Sequence, residues 1–117
     1  MNLRACLLAL AIIPLAQQSK ADEAIALVGV GTTTCSEYAT MYKSDPTTAD
    51  TVFWTWVQGF LSGWNTAAMK KGEAPRDLGK APEQQVQSFH SYCDRHPLSV
   101  VAQAALDLYM SLPELHR

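Results

Sequence analysis

The sequence predicts an all-α fold: a small four-helix domain with one disulfide, behind a cleaved signal peptide. Three observations carry this prediction. Residues 51–69, TVFWTWVQGFLSGWNTAAM, hold no formal charge and place their polar residues at helical rather than alternating spacing. Two cysteines, Cys35 and Cys93, remain once a leader is removed. Capping and breaking residues then divide the chain into helices of about 34–44, 50–71, 82–96 and 98–112.

The leader is read from residues 1–21. Arg4 supplies a charged start, Cys6 to Ala16 is an apolar run broken only by Pro14, and Ser19-Lys20-Ala21 is a small-x-small cleavage site. The apolar run is short for an uncleaved anchor, so the mature chain is expected to begin at Asp22 and to be periplasmic or secreted. That leaves 96 of 117 residues, 22–117, enough for a single helical domain and too few for two. Loss of Arg4 and Lys20 takes the nine basic groups to seven against eleven acidic ones, a formal charge of −4 with His neutral. An acidic chain with no basic patch points away from nucleic acid and from anionic membranes.

Residues 22–31, DEAIALVGVG, read as a brief strand or an ordered arm. The Gly-rich end lacks the Lys and the strand–helix context of a phosphate loop. The first helix opens on the capping box Thr34-x-x-Glu37, with Cys35, Tyr38, Ala39 and Tyr42 on one face, and stops at Ser44-Asp45-Pro46. Thr47 to Asp50 are expected to cap the central helix, and Lys70-Lys71-Gly72 to close it.

On the central helix, Thr51, Thr55, Gln58, Ser62, Asn65 and Thr66 form a narrow polar stripe. Trp54, Trp56, Phe60 and Trp64 crowd the remainder, as core residues of a small domain or as part of a sticky partner-binding surface. Gly59 and Gly63 each cost roughly 1 kcal/mol against Ala inside a helix, and close approach of another backbone is a reason to keep them. A membrane dimer motif would use the same G-x-x-x-G spacing. The polar stripe argues instead for a helix covered by other helices, with no membrane span in the mature form.

Residues 72–82, GEAPRDLGKAP, form the clearest loop, expected to be charged and mobile. Pro82 and Glu83 open the third helix, whose inner face reads as Val86, Phe89, Cys93 and His96. In the fourth, Leu98, Val101, Ala104, Ala105, Leu108 and Leu112 face inward, and Pro113 ends it. An even cysteine pair in a small exported domain reads as one disulfide, Cys35 to Cys93. A loop of nearly 60 residues gives it about 4 kcal/mol in the chain-entropy picture.

The signals of chemistry are weak. His90, Cys93 and His96 lie three apart on one helix, but a disulfide-bonded Cys93 cannot be a thiolate ligand, and no carboxylate completes a metal motif. There is no G-x-S-x-G and no Ser-x-x-Lys. The expectation is a non-enzyme with no cofactor and no metal.

Three segments, Cys35-Ser-Glu-Tyr38, Phe53-Trp54-Thr-Trp56 and Tyr92-Cys93-Asp-Arg-His-Pro97, together resemble the HdeA/HdeB-like family. These are small exported helical proteins with one disulfide, known as periplasmic acid-stress chaperones. The resemblance implies binding of unfolding clients, and a homodimer at neutral pH that hides the apolar surface. Gly59-Phe60-Leu61-Ser-Gly63 and the Ala-rich last helix also resemble the Rap/Tai-type immunity proteins, which bind and block secreted amidase toxins that attack the cell wall. Either resemblance implies that the chain's partners are other proteins.

Overall fold

The structure, a computed structural model, describes residues 26–116. The expected leader lies outside them. A 3-10 turn, Gly29–Thr32, is followed by four helices, α1 (Cys35–Ser44), α2 (Pro46–Lys70), α3 (Pro82–Arg95) and α4 (Val101–Ser111). Among the described residues there are no strands, only two isolated antiparallel bridges, Thr34 to Val100 and Arg76 to Glu114.

The Cys35–Cys93 disulfide joins the first turn of α1 to the last turn of α3. Around it the backbone closes a second way. Cys35 N–H donates to Ser99 O at 2.7 Å, Ser36 N–H to Pro97 O at 2.9 Å, and Val101 N–H to Thr33 O at 2.8 Å. The free amides at the start of α1 are thus satisfied by the link between α3 and α4. Those bonds, and a turn closed by Ser99 N–H to His96 O at 3.0 Å, occupy residues 97–100, so α4 starts at Val101 rather than 98. Leu98, expected to face inward, points outward and is 90% exposed.

The expected capping box is present at α1: Thr34 N–H and hydroxyl donate to Glu37 Oε2, and Glu37 N–H donates to Thr34 Oγ1. The turn into α2 is tighter than expected. Asp45 ends α1 and caps α2, accepting from Thr48 N–H at 3.1 Å and the Thr48 hydroxyl at 2.6 Å, while Pro46 takes the first helical position. Pro there sacrifices an amide that has no helical partner anyway. Thr47 to Asp50 therefore lie inside α2 rather than before it. At the other end, Gly72 (φ 76°) lets Glu73 N–H reach Ala68 O and Gly72 N–H reach Met69 O, closing the helix as a Schellman motif.

The core is made by Tyr38, Phe53, Val57, Leu61, Phe89, Val101, Ala104, Ala105 and Leu108, with the disulfide at one end. On α3, Gln85 is buried while Val86 is half-buried and His96 exposed. The Gln85 amide explains the difference: it donates to Leu78 O and Lys80 O, tying the 72–81 segment to α3. That segment, expected to be mobile, is pinned again by Asp77 N–H to Pro113 O and Leu115 N–H to Pro75 O.

The close approach expected at Gly59 and Gly63 is not found. Among the described residues, a Cβ on either would meet nothing within 4 Å. The glycines that do admit a neighbour are Gly29 and Gly31, where a Cβ would lie 3.2 Å from Trp56 Nε1 and 2.0 Å from Trp56 Cζ2. The 3-10 turn sets buried Gly31 against the Trp56 ring, and Trp56 Nε1–H donates to Val28 O at 3.2 Å.

Two outcomes follow. Gly31→Ala should destabilise the fold by about 1–3 kcal/mol, the usual range for overpacking, whereas Gly59→Ala and Gly63→Ala should each stabilise it by up to roughly 1 kcal/mol. Urea unfolding of the three variants reads both signs. Reduction of the disulfide should cost about 4 kcal/mol in the same assay.

Candidate protein-binding face

Among the described residues, α2 is packed along one side only. Ala49, Phe53, Val57, Leu61 and Ala68 are buried against the domain. The opposite side shows Thr51, Val52, Thr55, Gln58, Gly59, Ser62, Gly63 and Thr66 to solvent. The expected coverage of most of this helix is therefore not found, and the composition explains it. Thr51, Ser62 and Thr66 hydroxyls each donate to the carbonyl four residues back, so the face is polar yet already satisfied by its own helix. Asn65 departs from the stripe: it is half-buried and grips the 72–81 segment.

Three of the four singled-out aromatic residues form a ladder along the edge of this face. Trp56 stacks on Phe60 with ring centres 5.0 Å apart and planes at 18°. Phe60 meets Trp64 at 6.2 Å, and Trp64 meets Tyr109 of α4 at 5.7 Å. Trp56 and Phe60 are half-buried and Trp64 is 41% exposed, so these rings support the core from outside. Trp54 lies apart, against Phe89 at 6.3 Å. Open hollows flank the ladder. One is bounded by Leu27, Val28, Trp56, Gly59 and Phe60, the other by Trp64, Ala67, Arg76, Tyr109 and Met110. Val52, 42% exposed, extends the apolar strip towards the start of α2.

A second cluster joins three helices. Tyr38 of α1 donates its hydroxyl to Asp50 Oδ1 of α2 at 3.1 Å, and its oxygen lies 2.5 Å from His90 Nε2 of α3. His90 Nε2 is also 3.1 Å from Asp50 Oδ1. A proton on Nε2 satisfies all three atoms, since it can be shared by the carboxylate and the phenol oxygen. Burial, then the Asp50 charge and the hydrogen bond to it, push the Tyr38 phenol well above its ordinary value. His90 stands one turn before Asp94 on α3, but the fold pairs it with Asp50, forty residues away. His96 is stacked on Tyr92 instead, at 4.4 Å. No group of three or more His, Cys, Asp or Glu that could hold a metal occurs among the described residues. No described helix is long and apolar enough to cross a membrane.

Two carboxyls respond to acid. Hydrogen bonds from the Thr34 amide and then its hydroxyl hold Glu37 below its ordinary 4.5. Those from the Thr48 hydroxyl and then its amide hold Asp45 below 3.8. Both caps belong to the α1–α2 pair.

Comparison of the chain with family profiles, with curated proteins and with solved structures finds no match.

The pH dependence follows from these shifts. A depressed carboxyl pKa means the unfolded chain binds the proton first, so the contribution of Glu37 and Asp45 is complete above 4.5 and 3.8 and is lost as pH falls through their folded values. For Tyr38 the sign reverses: its raised value contributes stability below about pH 10, lost as pH rises further. Unfolding midpoints against pH should fall at both ends. Glu37→Gln with Asp45→Asn should flatten the acid limb, and Tyr38→Phe the alkaline one.

Proposed function

We propose that the protein is exported and binds other polypeptides through the open side of α2, in the manner of the HdeA-like acid-stress chaperones. The observation that supports this most is that face itself. No formal charge lies between Asp50 and Lys70. The ladder of Trp56, Phe60 and Trp64 borders it, and none of the described residues occupies the space above Gly59 and Gly63. A contiguous uncharged strip edged with aromatic rings has the composition of a protein-interaction surface.

The acid element has a physical route. With every carboxyl protonated and His charged, the mature chain carries seven Lys and Arg and three His, about +10 against −4 near neutrality, so self-repulsion rises. The caps on Glu37 and Asp45 fail in the same range. The helices then loosen while the disulfide keeps the chain compact, and more of the ladder reaches solvent.

One observation favours a second reading, an immunity or inhibitor protein of the Rap/Tai type with a fixed partner. The strip is already open in the folded molecule, so no acid loosening is required to present it.

The oxidised mature chain, residues 22–117, should bind the apolar dye ANS and suppress aggregation of an acid-unfolded client at pH 2–3. Phe60→Ala with Trp64→Ala should reduce that protection severalfold. Tight capture of one periplasmic or secreted protein at pH 7, without dye binding or client protection at pH 3, would select the second reading. Loss of neither activity in the double variant would remove the α2 face from the account.

A further inference from the structure

The chain holds a single Asp–Pro peptide bond, Asp45–Pro46, and it is the joint between α1 and α2. Such a bond yields in acid to a reaction that most peptide bonds resist. The Asp carboxylate stands one methylene from the backbone and can reach its own carbonyl carbon to close a five-membered ring. The departing nitrogen belongs to the tertiary amide of Pro, which takes up a proton more readily than an ordinary amide nitrogen.

The fold decides whether that carboxylate is available. Thr48 N–H donates to Asp45 Oδ1 at 3.1 Å and the Thr48 hydroxyl to Oδ2 at 2.6 Å, so the cap engages both oxygens. The Asp45 backbone is fixed as well: its N–H donates to Met41 O at 2.9 Å, and its carbonyl accepts from Ala49 N–H at 3.0 Å. The Thr48 hydroxyl, then the amides of Thr48 and Thr47, face this carboxyl and hold it below its ordinary 3.8. Among the described residues, no Lys, Arg or His comes within 4.0 Å of it. Asp45, Pro46, Thr47 and Thr48 are all exposed, so water reaches the bond.

We propose that Asp45–Pro46 is an acid self-cleavage site and that the Thr48 cap guards it. Once acid opens the cap, a carboxyl returned to its ordinary 3.8 is still partly ionised at pH 3. Its oxygen attacks the Asp45 carbonyl carbon and a C–O bond forms. The C–N bond to Pro46 breaks, and the nitrogen leaves with the electron pair and a proton from the medium. Residue 45 is left as a cyclic anhydride, which one water opens to two carboxyls. The sum is hydrolysis of one peptide bond, with no oxidant and no cofactor. The pieces do not part: residues up to 45 carry Cys35 and residues from 46 carry Cys93, so the disulfide keeps α1 on the domain while α2 gains a free end. The inference is independent of the protein-binding reading.

The test holds the oxidised mature chain at pH 3 and follows its intact mass over days. The mass should rise by one water while the disulfide is whole, and reduction should then release residues 22–45 and 46–117. Asp45→Ser keeps an oxygen that can cap α2 and removes the nucleophile, so cleavage here should stop. Thr48→Ala withdraws the hydroxyl guard and should speed cleavage severalfold. One reading needs no variant: urea at the same pH unfolds the wild-type chain, frees the carboxyl and should also speed cleavage severalfold. An unchanged mass in the folded chain overturns the proposal, as does cleavage at this bond that survives Asp45→Ser. Equal rates with and without urea, or in the wild type and Thr48→Ala, overturn the guarding role of the cap.

Discussion

The arrangement depends on the knot that joins the start of α1 to the end of α3. Its covalent part spans 58 positions of sequence. Its polar part, the bonds from Cys35, Ser36 and Val101 amides to the carbonyls of Ser99, Pro97 and Thr33, satisfies donors that a helix start leaves unpaired. Each hydrogen bond adds only about 1 kcal/mol net. The sulfur bond removes several kcal/mol of unfolded-chain freedom. In a domain this small, those amounts are a large share of the whole. The knot also fixes direction: α4 must leave beside the first turn of α1, which carries Ala104, Ala105 and Leu108 to the centre of the bundle.

With α1, α3 and α4 placed by that knot, α2 can be covered from one side only. Phe53, Val57 and Leu61 fill that side. The large rings do not fit the small interior and lie along its margin, where each finds another ring or the 3-10 turn to lean on. The aromatic ladder and the bare glycine stripe thus have one cause: a domain with a core too small to enclose its longest helix. A structural origin of this kind is compatible with use of the strip for binding, since an interface needs apolar area that stays ordered in the free molecule.

Local signals made the helices legible. The Thr34–Glu37 box, the Asp45-Pro46 junction and the Gly72 cap act within a few residues, so spacing reveals them. The boundaries that sequence misplaced were set by partners far along the chain. Pro97 and Ser99 carbonyls, taken by α1, delay the start of α4. The Gln85 amide is drawn inward by the carbonyls of Leu78 and Lys80. Gly31, not Gly59 or Gly63, is the residue that a ring requires to be bare, and only the position of Trp56 reveals it. The same holds for the candidate face. Its lack of charge was readable from residues 51–69, whereas the meeting of Trp64, Tyr109 and Arg76 was not, because Asn65 brings the last of them in across an irregular loop. A polar residue in a stripe of exposed hydroxyls gives no sign that it will hold a backbone rather than face water.

The distribution of proton-sensitive contacts has an order built into it. Glu37 caps α1 and Asp45 caps α2, and both carboxyls are held below their ordinary values. Both carboxylates sit at the starts of the first two helices. The contacts that tie α1 to α3 and α4 at the knot are a sulfur bond and backbone amides, which do not titrate in acid. Protonation therefore weakens the N-terminal caps of α1 and α2 while leaving the knot whole. α2, which carries the ladder, loses the cap at its first turn while the sulfur bond still ties the chain together. A fixed-partner protein has no need of such an order, and a stress-responsive one does. For that reason the position of these carboxylates, more than their number, bears on which of the two readings is correct.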